Sequence, residues 1–400
     1  METTKAVIIA VVVTAIVSGA GVYLVAGGGG EAGPTPTENK PIKIGAIAPL
    51  TGAASYGGKA AGAGLRVAVN ELEERGLLGG RPVEVFIEDS ESKSQAAVDA
   101  AHKLVEMNNV CAMVAEYRSQ NTIPVHEYTN EEGIPTVNAV ATSPNINQDE
   151  LGPYTWSTDA LDDLMGPACV EWAKEEWGVQ GKDCAILVMN DPYGVGIGDA
   201  MKATIEESGA TVVKYIKYTT GKSDFRPEIT ALKDSDPDFL FGVIWGSEAT
   251  AFWNQANELG FKQNIEGKAY FPYVELALGD APRDQVENIK GLAQASRSWR
   301  ADEFWEKFRE EAPDIEWKAY YGPSYYDALN VIANAISWAQ STDSDEINQA
   351  LPRAFESYVG VLDTDMRVDD LGRQINQTFE KRVVLEEKVK GIGYVTSSRE

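Results

Sequence analysis

The stretch "VCAMVAEYRSQNT", Val110 to Thr122, decides how the chain is to be read. An apolar run ends in five consecutive polar residues, Arg118, Ser119, Gln120, Asn121 and Thr122, and a helical pattern over Asn121 to Glu132 comes next. Strand, polar turn and helix in that order make the repeating unit of open parallel sheets, whose ligands gather at the carboxyl ends of the strands. An ordinary loop would lie in the same place. The neighbouring segments decide between the two.

Upstream, "IKIGAIAPL" (Ile42 to Leu50) is a β-branched run followed by helical spacing from Lys59 to Arg75, and "PVEVFIED" is followed by a helix over Ser94 to Met107. Downstream, "PTVNAV" adds a further strand. The alternation restarts at Leu161 with a helix, then "CAILVMN", the Gly196 to Ser208 helix, "TVVKYIKY", a short helix, "FLFGVIW", the Glu248 to Leu259 helix and "KAYF". Beyond "GLAQAS" the chain reads as mainly helical through Ala354 and closes with short strands near "YVGVLD" and "QTFEKRVVLEE". The expectation is an α/β protein with two doubly wound, parallel-sheet lobes. A length of 400 residues is ample for two cores.

The 61 acidic residues outnumber the 35 basic ones, and the net charge of -26 repels phosphate backbones and anionic headgroups. Nucleic acid is therefore not an expected partner. Cys111, Cys169 and Cys184 have no zinc-like spacing and sit in apolar contexts, which reads as buried thiols. Before the first strand, Ala6 to Ala26 runs 21 residues without a charge, within the roughly 17 to 25 that span a bilayer. A retained membrane helix is the first reading, and a cleaved signal with its site at Ser18-Gly19-Ala20 is the second. "GGGGEAGPTPTENK" then reads as a tether, so that residues 1–40 are anchor and linker.

Catalytic motifs fail on inspection. "TTGKSD" has Ile216 where a phosphate loop needs its first glycine, and "YGVGIGDA" (Tyr193 to Ala200) spaces its glycines as G-x-G-x-G, which suits close packing of a helix on its strand. There is no G-x-S-x-G elbow, and His102 and His126, the only two histidines, both fall in helical patterns. Neither catalysis, nor a metal, nor a cofactor is expected.

The polar strand ends suit a small ligand better. Ser119 reads as an N-cap, so that its hydroxyl and the free N–H groups of the helix converge where a carboxylate would bind. Thr142, at the end of "NAVATSP", belongs to the neighbouring strand, where its hydroxyl and the carbonyls near Val140 could meet an ammonium. Tyr56, Tyr193, Trp245 and Tyr273 also lie at strand ends and could wall a pocket, and Glu248 and Glu275 are carboxylates nearby.

At this point "IKIGAIAPLTGAASYGG", "SQNTIPVHEYTNEEGIPTVNAVATSP", "VMNDPYGVGIGDAMK" and "YYGPSYYDALNVIANAI" stand in an order that resembles the type I periplasmic solute-binding proteins of the branched-chain amino-acid type, over residues 42–390. The resemblance implies two lobes joined by a three-crossover hinge, with lobe 1 at 41–158 plus 295–358 and lobe 2 at 159–294 plus 359–400. It implies that Ser119 and Thr142 hold the ligand's charged groups, that Val140 contacts it through the backbone, and that Tyr56, Tyr193 and Trp245 stand at the mouth. Arg118 departs from the small residue common at its place and favours a more anionic ligand. Glu275 is the acid nearest to the place of the one that meets the ammonium, one position off. The same likeness implies an extracytoplasmic binding protein, not an enzyme, that delivers a small carboxylate to an ABC permease. Amides, urea-like or aromatic acids remain alternative ligands, and a sensory ectodomain an alternative role.

Overall fold

The computed structural model describes residues 40–74, 81–294, 298–315, 320–363 and 365–398. Strand β1 (Ile42–Ala48) leads to helix α1 (Ser55–Glu74), β2 (Val83–Asp89) and α2 (Ser94–His102), which runs on as a π-helical turn over Lys103–Asn108. Then come β3 (Ala112–Val114), α3 (Ser119–Glu131), β4 (Thr136–Asn138), the short α4 (Gln148–Leu151) and β5 (Thr155–Ser157). These five strands form an all-parallel sheet in the order β2-β1-β3-β4-β5.

The chain then crosses into a second sheet through α5 (Asp162–Trp177) and continues with β6 (Asp183–Met189), α6 (Pro192–Glu207), β7 (Thr211–Tyr218), α7 (Arg226–Asp234) and β8 (Phe239–Gly242). Next are helices α8 (Gly246–Glu258) and α9 (Phe261–Asn264), β9 (Ala269–Pro272), α10 (Val274–Leu278) and β10 (Lys290–Gln294). A second crossing brings α11 (Arg300–Glu311), α12 (Tyr321–Ala339) and α13 (Ser344–Ser357) back onto the first sheet. A third leads to β11 (Asn376–Leu385) and β12 (Lys388–Ser398). The second sheet has the order β12-β11-β10-β9-β8-β6-β7.

The inner strands are covered on both faces, which is why β1, β6 and β8 are almost continuously apolar and buried. Small residues set the closest packing. A Cβ on Gly64 of α1 would stand 2.0 Å from the carbonyl oxygen of Gly322 in α12, so only glycine lets these two helices meet.

Three expectations change. The second sheet is mixed, because β11 and β12 join it antiparallel. No strand forms at "YVGVLD": the Val361 and Leu362 N–H groups bond to the Asp327 carboxylate and not to a sheet neighbour. Strands β5 and β12 were not expected. The β11–β12 turn carries Glu386 and Glu387 at φ +52° and +60°, without the Asn-Gly signature of such turns, and the Glu287 carboxylate accepts from both of their N–H groups. The expected membrane run Ala6–Ala26 and the linker lie outside the described residues. Among the described residues no helix is long and apolar enough to cross a membrane.

Candidate functional site

The carboxyl ends of both sheets face one cavity of about 170 Å³. The first sheet contributes Tyr117, Arg118, Ser119 and Gln120 after β3, and Val140, Ala141 and Thr142 after β4. From the second come Met189, Asp191 and Tyr193 after β6, Thr220 after β7, Trp245 and Glu248 after β8, and Tyr273 after β9. Tyr320 and Tyr321, where α12 begins, complete the wall, and Tyr320 packs against the cores of both sheets. An apolar cavity of ~150 Å³ holds benzene. This one has room for a solute of amino-acid size.

A buried carboxylate organises the turn that begins α3. Glu116 accepts from the Ser90 hydroxyl (2.9 Å), the Asn121 amide (3.2 Å) and the backbone N–H of Arg118, and burial raises its pKa against those bonds. Arg118, not Ser119, is the N-cap residue, and its carbonyl accepts from Asn121 and Thr122 N–H. Ser119 is therefore the first helical residue, a correction to its reading as the cap. Its hydroxyl accepts from the Ser143 N–H at 3.2 Å, and it donates to no group among the described residues. The hydroxyl proton and the N–H groups of Ser119 and Gln120 remain available at the amino end of a 13-residue helix, a place that favours an anion.

The adjacent loop is held by Asn138, whose side chain accepts from Ala141 N–H (2.8 Å) and donates to the Ala141 carbonyl and the Ser157 hydroxyl. The pairing of β3 with β4 puts this loop beside Ser119, so the two strand ends meet as their adjacency predicts. Opposite them, Asp191 caps α6 by accepting from Gly194 N–H at 2.8 Å. Glu248, 7 % exposed in the first turn of α8, accepts from the Tyr218 hydroxyl at 3.0 Å and from Gly221 N–H. The cavity is thus bipolar, with Arg118 and a helix amino terminus on one wall and carboxylates on the other.

Between these poles runs a continuous chain of rings. Tyr117 contacts Tyr321 (4.8 Å between centroids), Tyr321 contacts Tyr320 (4.4 Å), and Tyr320 stacks on Tyr273 (5.1 Å, 11°). Tyr273 meets Trp245 edge-on (6.5 Å), and Trp245 lies on Tyr193 (4.8 Å). Tyr273 takes the left-handed backbone conformation at φ +50°, a strain tolerated for a non-glycine residue where the surroundings over-determine it.

Of the residues singled out in the sequence, Arg118, Ser119, Val140, Thr142, Tyr193 and Trp245 line the cavity, as do Tyr273 and Glu248. Two do not. Tyr56 is 48 % exposed at the start of α1, outside the wall though near Tyr321. Glu275 pairs with Arg382 of β11, because the turn at Tyr273 directs α10 toward that strand. Sequence reasoning missed Tyr117, Tyr320 and Tyr321. The last two belong to "KAYYGPSYYDA", whose tyrosine pairs were its one visible signal. His126 is fully buried in α3, its pKa lowered to about 3 by desolvation, and is a neutral packing residue, whereas His102 is exposed and bonds to Glu106 at 2.9 Å.

The glycine-rich turn splits its work. A Cβ on Gly194 would stand 2.3 Å from the Met189 carbonyl oxygen, and one on Gly198 2.4 Å from the Tyr215 hydroxyl, both within the second sheet and its helices. A Cβ on Gly196 would instead stand 2.4 Å from Cδ of Pro144, across the cleft in the loop after β4.

Comparison with known proteins gives one consistent family. The profile of the periplasmic binding protein family matches residues 41–379. A leucine-, isoleucine-, valine-, threonine- and alanine-binding protein of Pseudomonas aeruginosa is 26% identical over 82% of this chain and 87% of its own length. Among solved structures, a branched-chain amino acid transporter substrate binding protein of Streptococcus pneumoniae in complex with isoleucine superimposes with a TM-score of 0.74 at 22% identity, covering 89% of this chain and 100% of its own. A solute binding protein of R. palustris in complex with benzoate gives 0.74 at 19% identity, covering 90% and 97%. At these identities the two structures establish the fold.

Proposed function

Because the chain belongs to the periplasmic binding protein family, we propose that it captures a small carboxylate, foremost a branched-chain amino acid, between its two sheets and delivers it to an ABC permease. The observation that carries this reading is the bipolar cavity. The Ser119 hydroxyl, the free N–H groups of α3 and Arg118 take the carboxylate, Glu248 and the Val140 carbonyl take the ammonium, and the rings from Tyr117 to Tyr193 enclose the side chain. Thr142 borders both charged ends. No step of chemistry is performed on the ligand, in keeping with relatives that are solute-binding proteins.

The lobes of this reading are 41–158 with 295–358 and 159–294 with 359–400, hinged where the chain crosses. Binding closes them only as far as the ligand prefers the closed form, and the permease reads that difference. The protein works outside the cytoplasm, held at the membrane by the Ala6–Ala26 run. An aromatic acid is the second reading, favoured by the six rings and by the structural neighbour in complex with benzoate.

Calorimetric titration of the full-length chain with L-leucine, L-isoleucine, L-valine and benzoate separates the two. Leucine binding that Glu248→Gln weakens by tenfold or more supports the amino acid. Benzoate binding that the same substitution leaves unchanged, with no response to any amino acid, selects the aromatic acid. If none of the four binds, the proposed ligand class is wrong.

A further inference from the structure

Behind the cavity, where the chain crosses between the sheets, a cluster of buried polar groups is left over by ligand capture. Asp159 and Asp162 stand on the first crossing, 3 % and 0 % exposed. One Asp159 oxygen accepts from the Gln294 amide at the second crossing, and Gln377 at the third accepts from Ala160 N–H (3.0 Å). All three crossings are therefore tied together at this point. Yet among the described residues the other Asp159 oxygen, both oxygens of Asp162 and the Tyr193 hydroxyl are buried without a hydrogen-bond partner, and the buried Tyr273 hydroxyl has only Tyr320 near it. The Thr142 hydroxyl lies close to Asp162 but outside good hydrogen-bond geometry.

Buried polar groups are almost always satisfied, so several orphans in one place call for a physical cause. The charged neighbours make the problem worse. Asp162 faces Asp159, Asp163 and Asp191, and Asp159 shares a cavity of about 10 Å³, room for one water, with Asp327 and Asp363. The cations beside the neighbouring carboxylates are committed to those: Arg300 faces Asp327, and Arg373 pairs with Asp163 (3.6 Å) and Asp369 (2.7 Å). The remaining titratable groups that face the two carboxyls are Tyr193, Tyr273 and Tyr320. A buried carboxyl in such a place carries a proton instead of a charge. Burial lifts Asp159 to about 8 and raises Asp162 well above the ordinary carboxyl value.

The orphaned tyrosine and Tyr273 stand on one wall of the cleft and face the other. Tyr193 and Tyr273 pack in the core of the second sheet, while Val140 and Tyr321, on the opposite wall, pack in that of the first. Parting the sheets admits water to the floor between them. We propose that closing of the cleft takes up protons at Asp159 and Asp162, so that the protein captures its solute more tightly as pH falls. The inference rests on the two-lobed capture reading and adds a proton to it as co-ligand. In the open form both carboxyls are hydrated and ionised at neutral pH, with pKa near the ~3.9 of a solvated aspartate. In the closed form they are protonated. The closed state is therefore fully favoured below about pH 4 and loses that advantage as pH rises toward about 8, where Asp159 ionises in place. For one such group the closed-to-open ratio falls about tenfold per pH unit inside the window.

The test is a distance and needs no ligand. Cysteines introduced at Glu127 in α3 and Lys202 in α6, both exposed and on opposite sides of the cleft, accept spin labels in the full-length chain, whose own three cysteines are buried. Between pH 8 and pH 6 the ratio of short to long label distances should rise tenfold or more. Asp159→Asn with Asp162→Asn should favour the short distance at every pH, and Asp234→Asn, at an exposed aspartate of α7 that faces neither carboxyl, should retain the wild-type response. Should the double variant not fold, the wild-type chain still decides, because identical distance distributions at pH 5.5 and 8.5 overturn the inference. Failure of L-leucine to bind would remove the proposed ligand and leave a pH-dependent distance standing, so the two readings fail separately.

Discussion

Gly196→Ala is expected to weaken ligand binding while leaving the empty protein as stable as before or more so. Gly196 lies inside α6, where alanine is a better helix former than glycine by about 1 kcal/mol. That gain belongs to every state in which α6 is formed. The added methyl carbon, however, would stand 2.4 Å from Cδ of Pro144 on the other side of the cleft. Carbon atoms are at ease near 3.5–4.0 Å, and a proline ring has no rotamer by which to withdraw. Overpacking of this kind costs ~1–3 kcal/mol, and the cost falls on the closed form alone because the two residues separate when the sheets part. The dissociation constant should rise by about 5- to 150-fold at ~1.4 kcal/mol per tenfold. Calorimetric titration with L-leucine reads the first quantity and thermal unfolding of the ligand-free chain the second. Gly194→Ala is the contrast: its methyl group would meet the Met189 carbonyl oxygen within the same sheet-and-helix unit, so it should lower the stability of the empty protein. A Gly196→Ala dissociation constant within about twofold of wild type would refute the reasoning, since the Gly196–Pro144 approach would then not belong to the bound form.

Three other substitutions probe the site and its scaffold. Ser119→Ala removes a donor to a charged group, worth ~1.5–3 kcal/mol or about 10- to 150-fold in affinity. It also orphans the Ser143 N–H, so a modest fall in melting temperature accompanies it, and a fall in melting temperature with unchanged affinity would make Ser119 purely structural. Glu248→Gln should weaken L-leucine at least tenfold in titration, whereas Glu275→Gln, which breaks a partly exposed pair with Arg382, should leave affinity unchanged and cost at most about 1 kcal/mol in urea unfolding. Gly64→Ala drives a methyl group onto the Gly322 carbonyl and should destabilise the chain by up to ~2 kcal/mol, the ~1–3 kcal/mol of overpacking less the helix-propensity gain of about 1 kcal/mol. Equal or higher stability would mean that α1 and α12 separate freely.

What the sequence determined by itself is local in origin. The apolar runs at Ile42, Cys184 and Phe239, each followed by a helical period, set strands that are parallel and covered on both faces. The polar residues from Arg118 to Thr122 marked a strand end, and adjacency of β3 and β4 sufficed to bring Ser119 to the loop of Thr142. Glycine spacing in "YGVGIGDA" announced close approach but not what is approached, and Gly196 turned out to face Pro144 across the cleft. Only the tertiary structure decided between Glu248 and Glu275. The choice hangs on a left-handed turn at Tyr273 and on Arg382, 107 positions along the chain, which draws Glu275 away. Likewise Tyr320 and Tyr321 reach the pocket, and Gln294 and Gln377 reach the first crossing, only because the chain crosses three times and returns to one place. Hydrophobic period, caps and turns act over a few residues and can be read in order. The partners of a buried carboxylate are set by which distant segments pack against it, and no short pattern carries that information.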